Sequence, residues 1–189
     1  MKLRRLIFGL FWLYPCSGHS QIVSLKYDWY QSKFNSLLQV PSEVRWQLRF
    51  TDIGTAKREP SWRFMNDIPS PYGIATHDSY TSSGYHRGHM CPAADRSASK
   101  AGMRGTFRIS NICPQLPDVN TGSWKKTENF ERALVRYTDS CRIIAIPLFL
   151  EKDTTYIGGG VVAVPHAFLK IIYNVNPDTI YKTFFIWNK

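Results

Sequence analysis

Tyr85-His86-Arg87-Gly88-His89-Met90-Cys91-Pro92-Ala93-Ala94, followed by Asp95, is the stretch that decides the reading of this 189-residue chain. It brings two imidazoles, a guanidinium and a flexible glycine into what reads as one short turn. Hydrolysis of a phosphodiester needs a positioned base for water, positive charge on the phosphate oxygens, and a group that stabilises the departing oxygen. His89 can be the base, since an unperturbed imidazole pKa of about 6.5 leaves it largely neutral at pH 7. Arg87 can hold phosphate in a forked contact, and Gly88 lets the backbone turn tightly beside it.

Outward from this stretch, turn residues and hydrophobic periodicity set the organisation. Towards the N-terminus, a Gly/Pro/Ser-rich segment over 52–84 reads as irregular, and 44–50 alternates apolar with polar at period two, which predicts a half-buried strand with a basic outer face. In the other direction, Pro92 suits the first turn of a short helix over 93–100, closed near Gly102 or Gly105, and 107–112 reads as a strand. The strongest helix signal covers 123–137, where Phe130, Ala133, Leu134 and Tyr137 follow the spacing of a buried face. Trp124, Glu128 and Arg132 fall on a stripe roughly opposite, which Asn120 extends if the helix starts early. Runs at 141–150, 161–164, 168–173 and 179–187 are β-branched or aromatic and are separated by Gly158-Gly159-Gly160, Pro165 and Pro177-Asp178, so strands dominate the C-terminal half. One α+β domain with a mainly antiparallel sheet is the economical assembly.

The first twenty residues resemble an export signal: Lys2, Arg4 and Arg5 are basic, Leu6 to Tyr14 are apolar, and Gly18-His19-Ser20 ends on small residues, so cleavage is expected before Gln21 and the domain over 21–189. That apolar run is well short of the roughly 20 residues a membrane span needs, so no stable span is expected. A periplasmic or secreted protein follows, with lipid attachment at Cys16 as the lesser alternative. The net charge is +10 and only three of the basic residues lie in this leader, which holds no acid, so the domain itself points to a polyanionic partner, nucleic acid first. Cys91, Cys113 and Cys141 remain after processing, an odd set that leaves at least one thiol outside any internal disulfide.

With these residues in place, the 85–95 stretch resembles the signature of the DNA/RNA non-specific endonucleases, the endonuclease G-like ββα-metal or His-Me finger nucleases, whose pattern is Asp-Arg-Gly-His, an apolar residue and a Pro-Ala-Ala-Asp-like stretch. Ser110-Asn111-Ile112-Cys113-Pro114-Gln115 resembles the family's Ser-Asn-x-x-Pro-Gln strand. Asn120, Trp124 and Glu128 match its Asn-(three)-Trp-(three)-Glu helix, and Val164-Pro165 and Phe168 to Lys170 resemble later family strands. The resemblance implies a ββα-metal core acting on DNA and RNA, with Asn120 the protein ligand of Mg²⁺, or of Mn²⁺ or another divalent cation. It implies His89 as general base, Arg87 offsetting transition-state charge, Glu128 binding water at the metal, and Arg132 and Asn111 positioning the phosphate and the site. A hard cation that keeps most of its waters suits a single amide ligand.

His86 departs from that pattern by standing where the family has Asp, which opens a second reading as a weakened, nucleic-acid-binding relative. A third takes His86, His89, Cys91 and Cys113 as zinc ligands by type, although their spacing matches no common zinc pattern. A homodimer and an inhibitor protein stay open as partners.

Overall fold

Val44, Trp46 and Leu48 alternate with Arg45, Gln47 and Arg49, and in the computed structural model, which describes residues 21–150, 153–174 and 179–189, this alternation forms a strand with the apolar set inward. The expected leader, its cleavage point and Cys16 lie outside the described residues.

The elements in chain order are β1 Ile22–Lys26, β2 Gln31–Asn35, β3 Val40–Arg49, β4 His86–His89, α1 Lys100–Gly105, β5 Ile112–Gln115, α2 Trp124–Thr138, β6 Ser140–Leu148, β7 Tyr156–Ile157, β8 Val162–Ala163, β9 Ala167–Tyr173 and β10 Ile180–Trp187. Six strands form one antiparallel sheet in the order β1-β2-β3-β6-β9-β10, so the expected α+β architecture with a mainly antiparallel sheet is present. β4 and β5 form a separate two-stranded ribbon, and the chain passes from it through one π-helical turn, Val119–Ser123, into α2. That succession is the ββα unit.

Sheet register decides what α2 packs on. On the inward face Val44 pairs with Ala145 and Ala145 with Lys170, while Trp46 pairs with Ile143 and Ile143 with Ile172. Lys170 therefore sits in a row of core residues opposite a small alanine, and it is fully buried. Helix α2 lies over β3 and β6 and turns Trp124, Thr127, Glu131 and Val135 inward.

This reverses the buried face expected from periodicity: Tyr137 is 88% exposed, and Phe130 is exposed with its ring edge-on to Phe184 at 5.5 Å. The reason is electrostatic. Lys170 occupies the sheet face, and Glu131 meets it at 3.0 Å, both side chains completely buried. A buried cation demands an anion on the facing element, and that requirement outweighs the apolar stripe.

Three local expectations also need correction. The helix over 93–100 is instead a short 3₁₀ turn, Ala93–Arg96, followed by α1, because the Ala98 amide donates to Asp52 O at 2.9 Å and the Ser99 hydroxyl then caps the new helix at Gly102 N, 3.0 Å away. Pro92 precedes that turn in extended geometry, at φ −66° and ψ 143°. The strand expected over 107–112 begins only at Ile112, since Ile109–Asn111 is a 3₁₀ turn anchored by Met65, whose carbonyl accepts from Ile109 N at 3.0 Å. Finally, His86 to His89 form a strand and not a turn. Gly88 is needed there for close approach: a Cβ would overlap the side chain of Gln115 from β5.

Candidate active site

His89 ends β4, and its ring packs between Phe64 and Phe107, with centroids 5.0 Å and 4.8 Å away. The residue keeps some exposure, but Nε2 is buried with no hydrogen-bond partner among the described residues. Burial disfavours the imidazolium, and the Arg58 guanidinium repels it further, so the pKa falls to about 3. The ring is neutral at pH 7 and has an uncommitted nitrogen.

The backbone on either side of His89 is fixed by long-range bonds. Its carbonyl accepts from the Trp124 indole N–H at 3.0 Å, tying the first turn of α2 to the end of β4. Beyond it, fully buried Asn111 accepts from Cys91 N and donates to Cys91 O, both at 2.9 Å, and also donates to Thr106 O at 2.9 Å. The Asn111 carbonyl takes Met90 N as well, at 2.8 Å. Asn111 thus acts on the site through the backbone, since a fully buried amide with these bonds cannot touch a phosphate.

Asn120 stands in the π turn ahead of α2, and its Nδ2 lies 3.1 Å from His86 Nδ1. Two ties therefore join this helix to β4, Asn120 to His86 and Trp124 to His89, and Asn120 is held beside the strand that carries the candidate base. Arg87 is anchored by Nε to His77 O at 3.0 Å and by Nη2 to Thr81 Oγ1 at 2.7 Å. A guanidinium has five N–H donors, so donors remain for an anion.

Glu128 and Arg132 occupy the next turns of α2. Burial raises the half-buried Glu128 carboxyl to about 6, against the pull of Lys170 and Arg132. Arg132 lies 4.0 Å from Glu128, but its short contacts are to buried Asp95 and to Asn129, each 2.8 Å. Asp95 also accepts from the Trp46 indole at 3.0 Å. Arg132 is therefore a brace between α2 and the segment after His89, and its fork is largely engaged.

Sequence reasoning missed several supporting groups. Arg58 sits in the irregular segment, where no periodicity marks it. Asp95, Lys170 and Gln115 do lie inside recognisable motifs, and the signal for Lys170 was a cation where strand alternation requires an apolar residue. Gln115, fully buried against Gly88, has neither amide atom bonded among the described residues.

The zinc alternative finds no support. Among the described residues no group of three or more His, Cys, Asp or Glu gathers as a metal site. Cys91, Cys113 and Cys141 are free and buried; burial pushes the Cys91 thiol up to about 12 and Cys113 well above its usual value, which opposes the thiolate that zinc needs. A cation that needs one amide oxygen and otherwise keeps its water does fit, because Asn120 is partly exposed at the mouth of the ribbon and a half-turn of its amide exchanges Nδ2 for Oδ1. No helix among the described residues is long and apolar enough to cross a membrane.

Comparison with known proteins places the chain. Residues 14–189 match the family described as DNA/RNA non-specific endonuclease. The chain is 33% identical over 118 residues to a nuclease of Nostoc sp., covering 62% of this chain and 43% of that protein. It is 34% identical over 125 residues to human mitochondrial endonuclease G, covering 61% and 42%. The mitochondrial nuclease EXOG of Xenopus laevis is 36% identical over 135 residues, covering 66% and 37%. The matched stretches thus span less than half the length of these relatives. A chain of the crystal structure of the EndoG/EndoGI complex shares the fold, with a TM-score of 0.78 at 24% identity, over 88% of this chain and 74% of that one.

Proposed function

Because the chain belongs to the DNA/RNA non-specific endonuclease family, we propose that it hydrolyses phosphodiester bonds of both DNA and RNA with a divalent cation, Mg²⁺ or another of its class, and leaves 5′-phosphate ends. The observation that carries this reading is His89, a neutral imidazole with an uncommitted nitrogen, on a strand to which the Asn120 turn is directly bonded. His89 accepts the proton of the attacking water, and an arriving phosphate, being negative, raises the proton affinity of the ring at the moment it is needed. Arg87 supplies its remaining N–H donors to the phosphate oxygens. When bound at Asn120, the cation supplies positive charge to the same oxygens as negative charge builds there. Glu128, with its raised pKa, is a second proton-handling group, contributed by α2, and Arg132 and Asn111 brace the segment that follows His89.

Little base selectivity is expected, because contacts to phosphate position a nucleic acid without reading its sequence. The excess of positive charge suits such a substrate. With the leader-like first twenty residues, the reading extends to an exported enzyme, periplasmic or secreted. Incubation of the purified protein with plasmid and with RNA, in Mg²⁺ and in chelator, tests it. Cation-dependent fragments from both substrates are the expected result; salt-sensitive binding without products would establish the weakened binder instead.

A further inference from the structure

His86 lies in the 85–95 stretch, and the proposed chemistry does not use it. Its side chain is exposed, and among the described residues its hydrogen bond is to Asn120, Nδ1 to Nδ2 at 3.1 Å. Once the Asn120 amide makes its half-turn to present Oδ1, that oxygen and, in the Nε2–H tautomer of the ring, the Nδ1 lone pair of His86 lie side by side as two donors to a cation. A cation entering between them selects that tautomer, whereas without one the Nδ1–H tautomer donates to the amide oxygen. Cis positions around an octahedral cation with bonds of about 2.1 Å are about 3 Å apart, which matches the 3.1 Å separation already present.

We infer that His86 is a second direct ligand of the cation held at Asn120, and that its nitrogen shifts the metal preference of this chain from Mg²⁺ towards borderline transition metals. The inference rests on the reading of Asn120 as the metal ligand. Amide oxygen and water suit Mg²⁺, whereas imidazole suits Ni²⁺, Fe²⁺ and Zn²⁺ and gains along the series from Mn²⁺ to Cu²⁺. Amide and neutral imidazole are both uncharged, so this N,O pair would contribute donors but no negative charge of its own. His86 faces solvent and supports no core contact, so its replacement spares the core; because it also releases the hydrogen bond to Asn120, the Ni²⁺/Mg²⁺ affinity ratio and not the absolute affinity reads out ligation.

The experiment is calorimetric titration of the untagged protein with Ni²⁺ and with Mg²⁺ in the absence of nucleic acid, for the parent, His86→Ala, His86→Asp and Asn120→Ala. The Co²⁺ form of each is inspected by proton NMR for an exchangeable, paramagnetically shifted imidazole N–H. Loss of even an outer partner of a metal ligand costs about 10–100-fold in affinity, so His86→Ala should weaken Ni²⁺ by at least about tenfold while Mg²⁺ changes far less. His86→Asp should reverse the preference towards Mg²⁺, and both variants should lose the shifted N–H. An unchanged Ni²⁺/Mg²⁺ affinity ratio, or a shifted N–H that survives in His86→Ala, would overturn the inference while leaving Asn120 as ligand. Undiminished Ni²⁺ and Mg²⁺ binding in Asn120→Ala would overturn the underlying assignment itself.

Discussion

Lys170→Met removes the cation beneath α2 and leaves Glu131 facing an apolar row. In the parent, Lys170 Nζ sits 3.0 Å and 3.3 Å from the two Glu131 oxygens and 4.3 Å above the Trp124 ring, all fully buried. Breaking a buried pair by deleting one partner costs about 3–5 kcal/mol, a large share of the roughly 5–15 kcal/mol that holds a domain folded. At roughly 2–4 °C per kcal/mol for a chain of this size, the melting temperature should fall by about 6–20 °C. The deficit should depend on pH. Burial already raises the Glu131 carboxyl well above its usual range, Asp95 and Glu128 push it the same way, and Lys170 is the main group pulling it down. Without Lys170 the folded-state pKa rises further above the unfolded value. A raised pKa stabilises the fold in acid and loses that contribution as pH rises, so the variant should lie closest to the parent near pH 4–5 and furthest from it at pH 8. Lys170→Met with Glu131→Leu should recover most of the loss, because apolar replacement of a whole buried pair is often neutral or better. Urea and thermal unfolding of the parent, both single variants and the double variant, followed by circular dichroism at both pH values, measure all of this. A deficit below 1 kcal/mol, a deficit that does not change with pH, or a double variant as unstable as Lys170→Met would each refute the idea that Glu131 faces inward because Lys170 does.

His89→Ala should slow cleavage by about 10²- to 10⁴-fold with the fold intact by circular dichroism, and near-parental turnover would remove His89 from the chemistry. In the parent, the NMR titration of this ring should show it still neutral at pH 5, and Arg58→Ala should move its midpoint upward; a midpoint near 6.5 in the parent would contradict the burial described for Nε2. Gly88→Ala should destabilise the ribbon and lower activity, with Gln115→Ala restoring part of both, whereas a harmless Gly88→Ala would show that the ribbon has more room than the overlap with Gln115 allows. Asn111→Ala strands buried Cys91 and Thr106 backbone groups and should cost about 2–3 kcal/mol or more in urea unfolding; a loss of activity at unchanged stability would instead mark Asn111 as a substrate contact.

Where one physical requirement acted alone, the sequence was readable. Val44, Trp46 and Leu48 alternate because only one face of β3 is buried, and the strands at 140–148, 167–173 and 180–187 fall within a residue or two of the apolar runs. Where two requirements competed, periodicity misled. The apolar spacing of Phe130, Leu134 and Tyr137 lost to the pairing of Glu131 with a cation contributed 39 residues later by another strand, a partner invisible to any local window. The boundary of α1 was hidden for the same reason, since the Ala98 amide is taken by Asp52 from the distant turn that follows β3. The candidate site was legible as an inventory of residues. Its division of labour was not: Arg87 reads the same whether free or anchored to His77, and Asn111 and Arg132 look like substrate ligands until their partners are seen to be Cys91 and Asp95.

The ribbon that carries the site is itself braced from far away. Asn188 accepts from Leu116 N at 2.9 Å and donates to Pro114 O at 3.1 Å, contacts that cross 72 and 74 positions of sequence. Two strands alone are marginal in water. During translation, β4 and β5 leave the ribosome long before residue 188 does, so the nascent polypeptide carries the motif without its clasp. The ribbon that carries the candidate site therefore cannot reach its braced form until residue 188 has been synthesised and folded back onto it.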